Sequence, residues 1–156
     1  MNDFGALETW ELLAVGRRAF ELEARRLGEI AAASESTDQP LRDLLYRMAQ
    51  ECELFAAEID RLEASRPAGA DVRSLPANGQ QLIRGYLRTL TKSFGEGPLF
   101  RDAALFFAES LEEETSRLCR VLAEHARVWA VNRLFVDLAE REGKNVHFLR
   151  EVVLAG

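Results

Sequence analysis

The segment Asp137–Leu149, DLAEREGKNVHFL, decides how this chain is read. Leu134, Leu138, Val146 and Leu149 recur every three or four residues, the spacing that places side chains on one face of an α-helix. Glu142 and Asn145 fall on the same stripe, where a core-packing helix ordinarily carries an aliphatic residue. A helical period interrupted on its buried side by a carboxylate and an amide points to a bundle with a polar centre.

The same period runs through three other long segments. One spans about Ala6 to Ala33, with Trp10, Leu13, Ala14, Arg17, Phe20, Glu21, Ala24, Leu27 and Ala31 on its stripe. Another spans about Leu41 to Ala64, with Leu41, Leu45, Met48, Cys52, Phe55 and Ile59 on one face. Pro40 stands at its first turn, behind Ser36, Thr37 and Asp38 as capping candidates. A third runs from about Asp102 to His125, with seam positions Leu105, Ala108, Glu112, Thr115, Cys119 and Leu122. The segment that holds the opening stretch runs from about Val128 to Leu154.

Between residues 65 and 100 the character changes. SRPAGADVRSLPANGQ carries two prolines and two glycines and reads as an irregular connection. QLIRGYLRTLTKSF then spaces Ile83, Tyr86, Leu87, Leu90 and Phe94 as a short amphipathic helix, stopped by Gly95, Gly97 and Pro98. A helix of about 25 residues is about 37 Å long, and this connection is long enough to cross it. Strand patterns are absent. The expected fold is all-α: a four-helix bundle of two helical hairpins joined by one long crossover with a short extra helix.

With 156 residues, 47% of them hydrophobic, one domain over residues 1–156 is expected. A net charge of −6 without a sustained Lys/Arg run argues against nucleic acid or an anionic membrane surface as partner. The first twenty residues lack a basic start and carry Asp3, Glu8 and Glu11, unlike a signal peptide. No apolar run approaches the roughly 20 residues that span a bilayer. Cys52 and Cys119 lie inside helical patterns and outside any Cys-x-x-Cys pair, so reduced thiols in a cytoplasmic protein are expected.

The two halves echo one another. Laying Glu21 on Glu112 also lays Arg26 on Arg117 and Leu27 on Leu118; laying Leu44 on Leu134 also lays Ala49 on Ala139 and Cys52 on Glu142. In this register Glu21, Glu112 and Glu142 point into one core. Ionised and unpaired, each would cost several kcal/mol to bury. A bound cation, an arginine such as Arg17 or Arg25 folding inward, or protonated carboxyls would compensate. Oxygen-rich ligands at helical spacing suit iron, manganese or another divalent ion.

Glu51, Glu53, Glu109, Glu113 and Glu114 are placed on the surface, although a shift of register would bring Glu51 or Glu53 towards the seam. His147 lies about 200° round the helix from Asn145 and reads as surface. His125 reads as a helix C-terminus. Trp10, Trp129 and the Phe106–Phe107 pair exceed what one seam absorbs and suggest the face of a homodimer.

At these positions the chain resembles the rubrerythrin-like branch of the ferritin-like superfamily. That family places a Glu on the first and third helices and Leu-Ala-x-x-Glu-x-x-His on the second and fourth. The fourth helix here reads Leu138-Ala139-Glu140-Arg141-Glu142-Gly143-Lys144-Asn145, the whole motif save the histidine. The second reads Met48-Ala49-Gln50-Glu51-Cys52-Glu53-Leu54-Phe55, with neither ligand. The family's tyrosines, seven residues after each single Glu, are replaced by Gly28 and Cys119.

Carried over, the resemblance puts Glu21 and Glu112 at the single-Glu positions and Glu142 at a bridging position. Cys52 takes the place of the other bridging Glu, and Phe55 and Asn145 take the places of the histidines. The resemblance implies a reduced site that holds one iron, manganese or other divalent ion through Glu112, Glu142 and Asn145, with Glu21 closing it. Cys52 is read as a small buried hydrophobe in place of a ligand. An alternative is a non-catalytic scaffold or partner-binding module without metal, its polar seam joined by hydrogen bonds. A third is a di-iron oxidase or peroxidase, which would need an external electron donor.

Overall fold

The fold is described from a computed structural model, for residues 4–64 and 74–155. The described residues form an all-helical bundle without strands. Its helices are α1 (Thr9–Ala33), α2 (Gln39–Ala64), α3 (Gly79–Tyr86), α4 (Arg101–His125) and α5 (Trp129–Ala155), with single 3-10 turns at Phe4–Ala6 and Arg88–Thr91. The expected irregular stretch at 65–73 lies outside the described residues.

Local chemistry sets the helix ends. The Glu8 backbone N–H donates to Glu11 Oε1 at 2.9 Å, half of a capping box at the start of α1. At its end the Ser34 hydroxyl donates to the Ile30 carbonyl at 2.7 Å. Asp38 caps α2 by accepting from the Leu41 N–H at 3.3 Å, and Pro40 sits in the first turn, where its missing N–H leaves no bond unmade. Asp38 also accepts from Arg101 Nη1 at 3.1 Å, which ties the start of α2 to the start of α4. The Leu99 N–H donates to the Ala33 carbonyl at 2.7 Å, so the crossover ends pinned beside the first hairpin's turn.

α1 lies along α2, α4 lies along α5, and the two hairpins meet chiefly through α1 and α4, whereas α2 and α5 touch only lightly. Leu13, Phe20, Leu27, Ile59, Leu105, Leu118, Phe135 and Leu138 fill one continuous core, each fully buried. Burying a side chain of this size stabilises by roughly 1.5–3 kcal/mol. No described helix is long and apolar enough to cross a membrane.

The crossover departs from the sequence expectation. Instead of one helix through Phe94, α3 stops at Tyr86 and the chain turns at Leu87, with ψ at 69°, into the 3-10 turn. Tertiary bonds capture the backbone there. The Thr89 N–H donates to Glu114 Oε1 at 3.0 Å, and the Thr89 carbonyl accepts from Arg26 Nε at 3.1 Å. Arg26 also bonds the Lys92 carbonyl and lies over the Phe94 ring at 4.1 Å. Glu114, expected on the surface, is therefore buried and holds the crossover onto α4.

At Gly16 α1 passes tightly against the Phe135 ring of α5. A Cβ there would stand 2.5 Å from Phe135 Cε1 and 2.8 Å from Cζ, and Phe135 is fully buried. Alanine at a helix-interior glycine ordinarily gains up to about 1 kcal/mol. Here overpacking outweighs that gain: Gly16→Ala is expected to lower stability by about 1–2 kcal/mol. Urea midpoints for the two proteins check this, and a midpoint that rises would show that the Phe135 ring moves aside freely.

Candidate metal centre

Each of the four long helices delivers one side chain to a single point in the core. Glu23 comes from α1, Cys52 from α2, Glu112 from α4 and Glu142 from α5, and their ligand atoms all lie within 4.8 Å of one another. Cys52 is 1% exposed and the three glutamates are 0% exposed. Ligands about 2.0–2.3 Å from one ion are separated by at most about twice that distance, so a slight contraction closes this set round a single cation.

Glu112 and Glu142 stand where the sequence puts them. Glu21 does not reach the centre. Arg17 Nη1 meets Glu21 Oε1 at 2.6 Å and Arg17 Nε meets Asp60 Oδ1 at 2.7 Å, at the surface of the first hairpin. The two residues from Glu21 to Glu23 turn the side chain about 200° round α1, and Glu23 faces inward. Neither arginine named as a counter-charge folds in: Arg17 is committed to Asp60 and Glu21, and Arg25 is exposed.

Asn145 lies beside the centre as a hydrogen-bond donor. Its Nδ2 donates to Glu51 Oε1 at 2.6 Å and to Glu112 Oε2 at 3.4 Å. Both neighbours are carboxylates, which only accept when ionised, and that fixes the amide with its NH2 towards them. Asn145 therefore orients Glu112, and Glu51, expected at the surface, is a half-buried partner. His147 is surface, 3.2 Å from Glu151, and His125 stacks on Phe4 at 5.7 Å.

The buried positions reveal a register that the residue types conceal. Laying Leu12 and Leu13 on Ala104 and Leu105 carries the buried face of α1 onto that of α4 and places Phe20 on Glu112 and Glu23 on Thr115. Laying Leu41 and Leu45 on Val131 and Phe135 places Cys52 on Glu142 and Phe55 on Asn145. The Glu112–Asn145 contact of one hairpin thus corresponds to Phe20–Phe55 in the other, an edge-to-face pair with ring centroids 5.4 Å apart. One half of the seam is polar and the other is filled with rings.

The polar half lacks compensation. Both oxygens of Glu23, both of Glu142 and Oε1 of Glu112 are buried without a hydrogen-bond partner. The nearby Thr115 hydroxyl donates to the Leu111 carbonyl at 3.0 Å, so its proton is already committed. No ion pair joins a basic side chain to Glu23, Glu112 or Glu142 among the described residues. Burial pushes the Glu23 carboxyl well above the usual carboxylate range, and the adjacent Glu142 pushes it further. Burial likewise raises Glu142 to about 8, with the facing Glu23 carboxyl pulling against it and the Glu51 charge adding to it. Both acids therefore keep their protons above the usual carboxylate range when nothing else neutralises them.

No family model matches the chain, and neither a curated protein nor a solved structure matches it. The reading of the centre rests on its own atoms.

Proposed function

We propose that the protein is a metal-binding helical bundle of the ferritin-like kind that holds one divalent ion per chain between its two hairpins. The observation that carries this reading is the convergence of four fully buried ligand atoms, with carboxylate oxygens that receive no donor. Leaving such groups unsatisfied costs on the order of 1–3 kcal/mol each, more when charged, and a cation offsets all of them at once. Glu23, Cys52, Glu112 and Glu142 would hold the ion, and Asn145 would orient Glu112. The phenylalanine pair fills the place a second metal would need, which disfavours the di-iron oxidase or peroxidase.

A metal-free scaffold is the second reading, favoured by the facing Glu23 and Glu142 carboxyls, which are both neutral when each keeps its proton. Metal analysis after growth in medium supplemented with iron, manganese, zinc and cobalt separates the two. About one equivalent per chain is expected, and dialysis of the stripped protein against excess ion should raise its thermal midpoint, since 100-fold saturation stabilises by about 2.7 kcal/mol. Protein that carries no metal and whose midpoint ignores all four ions supports the scaffold.

A further inference from the structure

The donor set carries information about which ion belongs there. We propose that Cys52 is the thiolate ligand of this centre, and that the centre takes a borderline-soft divalent ion of the zinc and cobalt class in preference to iron or manganese. This inference rests on the metal-binding reading above and goes beyond it, because an all-oxygen or oxygen-imidazole set would favour the harder ions.

Two thiols are buried in the bundle, and their surroundings differ. Cys119 lies outside the convergent set, whereas the Cys52 sulfur is within 4.8 Å of ligand oxygens from all three glutamates. A cysteine that merely replaces a methyl-sized core group meets hydrocarbon. Cys52 instead faces Glu23, Glu112 and Glu142 across the convergent set. A cation bound among these carboxylates would take the thiolate, and the thiol proton would leave to solvent.

Zinc and cobalt(II) accept four-coordination by mixed sulfur and oxygen, and both stand above iron(II) and manganese(II) in affinity for a given divalent site. All four donors are sealed from solvent and each comes from a different long helix, the arrangement of a closed structural centre. The ion would add a link between the hairpins where α2 and α5 touch only lightly.

Cobalt(II) titrated into the stripped full-length protein tests the assignment. The expected spectrum has a near-ultraviolet sulfur-to-cobalt charge-transfer band with the visible bands of a four-coordinate ion. Zinc abolishes both, and an equal excess of manganese(II) does not. Cys52→Ser should lose the charge-transfer band and bind cobalt more weakly by more than the roughly tenfold to hundredfold that losing an outer-sphere partner costs. Cys119→Ser should keep the band. Cobalt bound without that band, or displaced equally well by manganese, overturns the thiolate assignment and leaves the metal-binding reading standing. A protein that binds no ion overturns both. If Cys52→Ser fails to fold, the wild-type spectrum and competition decide the question alone.

Discussion

Metal-free protein is expected to lose stability steadily as pH rises from about 5 to about 8. In the unfolded chain Glu142 titrates at the ordinary glutamate value of 4.5, and in the fold it titrates near 8, with Glu23 raised alongside it. Below the unfolded value both states are protonated and the buried acids cost little. Above it the unfolded chain releases protons that the folded chain keeps, so each pH unit subtracts about 1.4 kcal/mol per group until the folded value is passed. The full fall amounts to several kcal/mol, comparable with the margin of a domain this size. Denaturant midpoints measured across that range in the presence of a chelator check it.

Glu142→Gln should flatten the slope and leave the stripped protein more stable than wild type at pH 8. Added metal should flatten it in the wild type by supplying the charge that the protons supplied. A stripped wild-type protein whose midpoint is level across the range would show that water or a basic side chain already reaches the pair.

How much of this was legible in the sequence depends on which neighbours decide each feature. Helix existence follows from local pattern: four periodic segments, few internal breakers, and caps such as Asp38 before Pro40. Helix phase is less accessible when a helix is apolar on more than one side. α1 has Leu12, Leu13, Ala14 and Val15 in succession, all buried, so the stripe through Arg17 and Glu21 and the stripe through Phe20 and Glu23 both look continuous. Asp60, forty-three residues away, resolves the choice by capturing Arg17.

The turn at Thr89 is decided in the same way by Arg26 and Glu114, and local propensity gives no warning of it. The α5 motif was readable because Leu138, Glu142, Asn145 and Leu149 lie on one unambiguous face. Cys52 was located by its alignment on Glu142. Its place beside three carboxylates was not, because a buried cysteine on a helix ordinarily meets hydrocarbon; only its three-dimensional neighbours distinguish it from Cys119.

Phe20→Ala is expected to cost about 3–5 kcal/mol, near the top of the range for large-to-small core substitutions. The ring is 0% exposed and meets Phe55 edge to face at 5.4 Å, and Phe55 is itself covered by the Arg141 guanidinium at 5.6 Å. The surrounding helices cannot collapse into the space, because α1 is held against α2 by the Arg17–Asp60 pair and against the crossover by Arg26. Phe106→Ala, at a ring 60% exposed, removes as many atoms and should change the midpoint by under about 0.5 kcal/mol.

The same variant tests how the two halves of the seam divide their work. If the rings only fill the space that corresponds to Glu112 and Asn145, then Phe20→Ala lowers the midpoint but leaves about one equivalent of metal bound. A rise towards two equivalents would show that Glu23 and Cys52 can close a second site once the ring is gone. A loss below the cost of an exposed alanine substitution would show that the aromatic half is loosely packed. Only the second result would undercut a one-ion centre, since tight ring packing is what denies a second ion its space; the first would show that the ring alone excludes it.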